Sequence, residues 1–149
     1  MYVDGAIGES NNEVNAKSIS RICKELELNN AIKAVVVRVN LPGGSAFESE
    51  KIWRAFSKLK EKKPIIVSMG NYAASGGYYI SCMANKILAQ PTTITGSIGI
   101  FGVFPNMKGI NDKIGLSYDG VKINKMSDAF STHRAFTDEE RALLQENVN

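Results

Sequence analysis

The feature that most restricts the fold is the succession of Ala34–Val39, Leu41-Pro42-Gly43-Gly44 and Ala46–Glu61. The first piece is a short apolar run rich in β-branched residues, the pattern of a strand buried on both faces. The second breaks it sharply. The third places Phe47, Ile52, Phe56 and Leu59 on one face of a helix. The cycle then repeats. Pro64 opens a strand over Ile65–Met69, Gly70-Asn71 reads as a turn, and a helix follows from about Ser75 to Met83. Upstream, Tyr2–Ile7 is a strand candidate. Ile19, Ile22, Cys23 and Leu26 predict an amphipathic helix over roughly Asn15–Leu28. Strands alternating with helices predict an α/β fold with a largely parallel sheet. Ligands gather at the carboxyl ends of such strands, so chemistry is expected at the Gly-rich strand ends, residues 42–44 and 70–77.

The remainder reads less regularly. Lys86–Ala89 is a short strand, and Thr92–Ile100 mixes small, polar and apolar residues around Gly96 and Gly99. Lys108–Ile114 is helical and stops at Gly115, and Ser117–Ile123 is strand-like. Thr137 with Glu140 makes a capping box for a last helix. The 149 residues, 44% hydrophobic, suffice for one globular domain with a real core. The net charge of +3 is mild, and the densest basic run, Lys58, Lys60, Lys62 and Lys63, reads as a solvated helix end rather than a nucleic-acid patch. Cys23 and Cys82 form no CxxC pair and read as buried free thiols in helices, with a disulfide between them as the alternative. No apolar run reaches the ~18 residues of a membrane span, and Met1–Gly8 lacks the regions of a signal peptide. The chain stops inside a predicted helix, so both ends are expected to be boundaries within a longer protein.

Three small-residue segments are candidates for chemistry. In Ala73-Ala74-Ser75-Gly76-Gly77, a serine follows a strand and opens a helix. Small neighbours admit a substrate backbone, and free N–H groups at a helix start suit an oxyanion. An N-cap serine followed by packing glycines explains the same residues equally well. Gly43-Gly44 can turn N–H groups outward as an oxyanion hole, or form a plain strand-to-helix turn. In Thr95-Gly96-Ser97-Ile98-Gly99, Ser97 either hydrogen-bonds a base or completes a tight turn. A nucleophilic serine needs a base. His133 is the sole histidine, while Lys86, Lys122 and Lys125 lie near predicted strands. A lysine base must be held neutral by burial or a nearby cation. No zinc spacing, phosphate loop or dinucleotide fingerprint is present, so no cofactor or metal is expected.

In combination, Val37-Arg38-Val39-Asn40-Leu41-Pro42-Gly43-Gly44, Val67-Ser68-Met69-Gly70, Ala73-Ala74-Ser75-Gly76-Gly77-Tyr78-Tyr79-Ile80-Ser81 and Thr95-Gly96-Ser97-Ile98-Gly99-Ile100-Phe101-Gly102 resemble the signal peptide peptidase A family, also called protease IV. The resemblance runs from about Val3 to the last helix, and the order and spacing of separate motifs make it specific. It implies a Clp protease/crotonase-like fold of repeated ββα units. It implies a Ser–Lys dyad acting on hydrophobic peptides, chiefly cleaved signal peptides, with Ser75 as nucleophile. Gly43, Gly44 and Gly76 match the backbone of the oxyanion hole, and Ser97 matches a serine that orients the lysine amine.

The lysine is the departure. Short, single-repeat members carry it in a Lys-Asp-like segment, whose matching position here is Ser127, in Lys125-Met126-Ser127-Asp128. In long members the N-terminal repeat supplies the lysine and the C-terminal repeat the serine. The chain is therefore expected to be a C-terminal repeat of a long member, inactive without its upstream half. Phe101-Gly102-Val103-Phe104 also resembles that form. The resemblance further implies a homo-oligomer at the bacterial cytoplasmic membrane, with the catalytic part on the outer side. Two other readings remain at this level: a crotonase-type acyl-CoA enzyme, and a non-catalytic assembly module of an oligomeric ring.

Overall fold

The computed structural model describes residues 1–100 and 102–148. The chain forms two compact units, Met1–Ile98 and Gly99–Asn149. In the first, the elements run β1 (Tyr2–Asp4), α1 (Ala16–Leu28), β2 (Val35–Leu41), α2 (Ala46–Lys60), β3 (Ile65–Ala74), α3 (Gly76–Ser81), β4 (Lys86–Leu88) and β5 (Ile94–Gly96). All the strand pairs are parallel, in the order β1-β2-β3-β4, with β5 pairing the later part of β3. This is the α/β, Clp protease/crotonase-like fold class that the motifs imply.

The core follows from alternation. In β2, Val35, Val37, Val39 and Leu41 are buried, while Val36 and Arg38 are exposed. The inward residues, with Val67 and Met69 of β3, share one apolar cluster with Ile19 and Cys23 of α1 and Ile52, Phe56 and Leu59 of α2. Full burial of each large side chain contributes about 1.5–3 kcal/mol. The helix starts are capped as their sequences suggest. Asn15 Oδ1 accepts from Ser18 N at 2.9 Å, and Ser45 Oγ accepts from Glu48 N at 3.3 Å. Buried Glu48 joins the two helices. It accepts from Ala16 N at 2.8 Å and from Lys51 Nζ at 2.7 Å. The Lys51 ammonium, then the Ala16 N–H, hold its carboxyl below the usual range.

Three expectations need correction in this unit. Gly70-Asn71 is not a turn. β3 continues through it to Ala74, because side chains from neighbouring segments satisfy the local backbone. Lys63 is buried rather than solvated. Its ammonium donates to Leu26 O and, at 2.6 Å, to Asn29 O, supplying the positive charge that the last turn of α1 lacks. Cys82 is exposed and lies just beyond α3. Cys23 is buried, which pushes its thiol up to about 11, and both cysteines are free.

The second unit contains α4 (Lys108–Lys113) and α5 (Asp138–Val148). Among the described residues, Ser117–Ile123 forms no strand and pairs with no other segment, and Val121 is 96% and Ile123 93% exposed. The capping box is present, with Thr137 N donating to Glu140 Oε2 at 2.7 Å and Glu140 N to Thr137 Oγ1 at 3.2 Å. Glu140 also receives a two-pronged bond from Arg134, at 2.6 and 2.8 Å. That bond, then the Thr137 N–H, draws the Glu140 carboxyl down to about 2. Phe104, Phe130 and Phe136 pack together beside this network, with centroids 5.4–6.3 Å apart.

Candidate active site

Ser75 lies where β3 ends and α3 begins, half-buried at the carboxyl edge of the parallel sheet. Its backbone has φ 51° and ψ −119°, a conformation that residues with a Cβ rarely adopt. Such a conformation costs on the order of 1–3 kcal/mol and persists only when its surroundings impose it. The imposing contacts are visible. Ser75 N donates to Gly96 O at 2.9 Å, and Ser75 O accepts from Tyr79 N at 2.9 Å. The hydroxyl makes no capping bond to the first turn of α3. The N-cap explanation for this serine therefore fails on geometry.

Gly43 closes against the same point. With φ 112°, it comes so near that a Cβ there would lie 2.8 Å from both Ser75 Cβ and Gly76 N. Only glycine fits. Among the described residues, the Gly43 N–H, outside any helix or strand, makes no backbone hydrogen bond, and the Gly76 N–H belongs to the first turn of α3, where no intrahelical acceptor is available. Two N–H groups thus lie beside a strained serine, the elements from which an oxyanion site is made. Gly44, at φ 150°, is pressed instead against Ile7, where a Cβ would fall 2.0 Å from the carbonyl oxygen. Ile7 N donates to Gly43 O and Ser45 N to Ile7 O, both at 2.9 Å, fastening the loop.

Ser97 is brought to the same edge. Ala74 pairs with Gly96, so Ser75 and Ser97 each follow a paired residue on adjacent strands. Ser97 is exposed and also has a positive φ, 52°. Thr95 Oγ1 donates to Ala73 O at 2.8 Å and ties β5 to β3 at this point.

Lys86, the candidate base in the first unit, is remote from these groups. Lys86 pairs with Ile66, at the opposite end of β3. At ~3.3 Å per residue that is roughly 20–30 Å from Ser75. Lys122 is ion-paired with Asp128 at 2.6 Å and Lys125 with Glu139, their side chains 55% and 74% exposed. His133 stacks on Tyr118, centroids 4.8 Å apart. Ser127 donates to Asn124 O at 3.0 Å. Within the first unit, the lysine ammonium groups with hydrogen-bond partners bond elsewhere: Lys51 to Glu48, Lys60 to Met83 O, and Lys63 to Leu26 O and Asn29 O. Phe101, part of the fourth motif, lies outside the described residues.

Sequence reasoning missed one contributor. Asn40 reaches across to β3, where Asn71 N and Tyr72 N donate to its Oδ1 at 3.0 and 3.3 Å. Its place just before the Pro-Gly-Gly loop was the available signal.

Residues 57–149 match peptidase family S49. The chain is 48% identical over 137 residues to Protease 4 of Haemophilus influenzae, covering 88% of this chain and 22% of that protein. It is 31% identical over 147 residues to the chloroplastic serine protease SPPA of Arabidopsis thaliana, covering 98% of this chain and 22% of that one. The chain thus spans about a fifth of these relatives' length. A solved structure of a membrane-bound stomatin-specific protease shares the fold, with a TM-score of 0.53 at 22% identity over 66% of this chain and 47% of that one. With a family match over more than half its residues, the chain belongs to peptidase family S49.

Proposed function

We propose that the chain is the serine-bearing part of a peptidase that cleaves hydrophobic peptides, signal-peptide remnants among them, with Ser75 as nucleophile. The observation that carries this reading is the apposition of strained Ser75 to Gly43, beside the Gly43 and Gly76 N–H groups. Ser75 Oγ attacks the peptide carbonyl, and a neutral lysine takes its proton. The Gly43 and Gly76 N–H groups stabilise the oxyanion, an interaction worth about 3–4 kcal/mol per donor in such sites. Gly44 shapes the loop through Ile7. Ser97 orients the lysine amine. The tetrahedral intermediate collapses, its C–N bond breaks as the protonated lysine returns the proton to the departing amine, and water then hydrolyses the acyl-enzyme to free Ser75.

The lysine comes from an upstream repeat. Ser127 stands where single-repeat members carry their lysine, and the amines of Lys122 and Lys125 are committed to carboxylates. The whole protein works as an oligomer at the membrane. Among the described residues, no helix of this chain is long and apolar enough to cross one.

The test is hydrolysis of an apolar fluorogenic peptide by the chain with and without its upstream half, with Ser75→Ala as blank. Activity only with the upstream half, abolished in Ser75→Ala, is the expected result. Serine-dependent activity from the chain alone would place the base within it. Absence of serine-dependent activity in either form would remove the protease reading.

A further inference from the structure

The pairing of β2 with β3 is interrupted just before the site. Val39 pairs with Met69, but the next pair is Leu41 with Ala73. Asn40 alone therefore faces Gly70, Asn71 and Tyr72, a bulge in β3. If the same sequence paired without the bulge, continuation from Val39–Met69 would set Gly43 opposite Ala73. With it, continuation from Leu41–Ala73 sets Gly43 opposite Ser75, where the close approach is observed.

Asn40 is built into this bulge from β2. Its Oδ1 accepts the Asn71 and Tyr72 N–H groups, and its Nδ2 lies 3.3 Å from each carboxylate oxygen of Asp4 on β1. Gly70 fits against it without room for a side chain: a Cβ there would fall 2.6 Å from Asn40 Oδ1. The neighbouring carbonyls are held independently, Met69 O by Arg38 Nη1 at 2.7 Å and Gly70 O by Thr93 Oγ1 at 2.8 Å. Only Asn40 among these side chains supplies an acceptor to the bulge's N–H groups.

We propose that Asn40, oriented by Asp4, is a positioning residue for Ser75, holding the bulge that sets the serine opposite Gly43. The kinetic part of this proposal rests on the protease reading above; the structural part does not. The test compares the wild type with Asn40→Ala and with the swap Asp4→Asn/Asn40→Asp. The swap returns an acceptor to the bulge and reverses the bond between the two side chains.

Amide hydrogen exchange on the 149-residue chain is the first readout. Asn40→Ala is expected to accelerate exchange at Asn71, Tyr72 and Ser75 by about tenfold, with Val37 unchanged and the swap restoring protection. The second readout is peptide hydrolysis with the upstream half present. Asn40→Ala is expected to lower kcat by about tenfold with KM within about twofold, again rescued by the swap. Unchanged Ser75 exchange in Asn40→Ala would overturn the proposal, as would a loss confined to KM. A wild type without serine-dependent hydrolysis would refute the protease reading, while the exchange result would still decide the role of Asn40.

Discussion

At Ser75 a side chain occupies backbone space that suits glycine, and the cost is measurable. Ser75→Gly and Ser75→Ala both remove the hydroxyl, but only glycine relaxes φ 51°. Urea unfolding is expected to find Ser75→Gly more stable than Ser75→Ala by about 1–2 kcal/mol, with both lacking hydrolytic activity. Equal stabilities would mean that no strain is stored there. Gly43 makes the complementary case. Gly43→Ala forces a Cβ onto Ser75 and Gly76 N, whereas Gly5, also at positive φ (101°), has open space around it. Gly43→Ala should therefore cost about 2–3 kcal/mol and abolish peptide hydrolysis, while Gly5→Ala costs about 1 kcal/mol and leaves it intact. The sequence singled out Gly43 by its motif, but nothing local to it showed that the glycine is wedged against Ser75, a neighbour 32 residues away.

Among the elements, helices were the most legible. The periodicities over Asn15–Leu28 and Ala46–Glu61 met α1 and α2 within a residue, because one apolar stripe packed on a sheet determines them. Strand limits were harder to read. Gly70-Asn71 carries turn chemistry, and the remote side chains of Arg38, Asn40 and Thr93 satisfy its backbone as strand. Ser117–Ile123 alternates like a strand but has no partner, and strands are stabilised across pairs. Lys63 was misread for the same reason, as its acceptors lie on another helix. Lys63→Met should destabilise the first unit by about 1–3 kcal/mol by leaving the Leu26 and Asn29 carbonyls without their donor, and thermal unfolding would check it. The cap of α5 makes a pH prediction. The Glu140 carboxyl lies at about 2 in the fold, below the ordinary value of 4.5. Its contribution is thus complete above about 4.5 and is lost as pH falls towards about 2. Acid titration followed at the Phe130 amide should show this loss, and Glu140→Gln should remove that pH dependence while lowering stability at neutral pH.

For the molecule as a whole, the candidate site was legible as far as its parts are consecutive. Ser75, Gly43, Gly76 and Ser97 were all named from small-residue motifs, and parallel pairing gathers them at one sheet edge. The base was not legible as a residue of this chain, and the amines considered are engaged elsewhere or distant in the sheet. Exposed apolar side chains belong to this scale too. In the second unit, Val103 is 83%, Val121 96% and Ile123 93% exposed, and exposed apolar surface favours association. The isolated chain is expected to self-associate with rising concentration in light scattering. Val121→Ser/Ile123→Ser should weaken that association without changing the stability of the first unit.

The bulge in β3 has an arithmetic consequence. Across Asn40, β3 holds two more residues than β2, and both Met69 before it and Ala73 after it are buried. Side chains alternate faces along a strand, so an even surplus preserves parity and an odd one inverts it. Deleting Asn71 and Tyr72 together would keep Ala73 inside and Ser75 opposite Gly43, whereas deleting either alone would turn Ala73 outward and carry the serine with it. Length changes in this stretch are therefore tolerated in steps of two, a reading frame imposed by the pleat rather than by the codon.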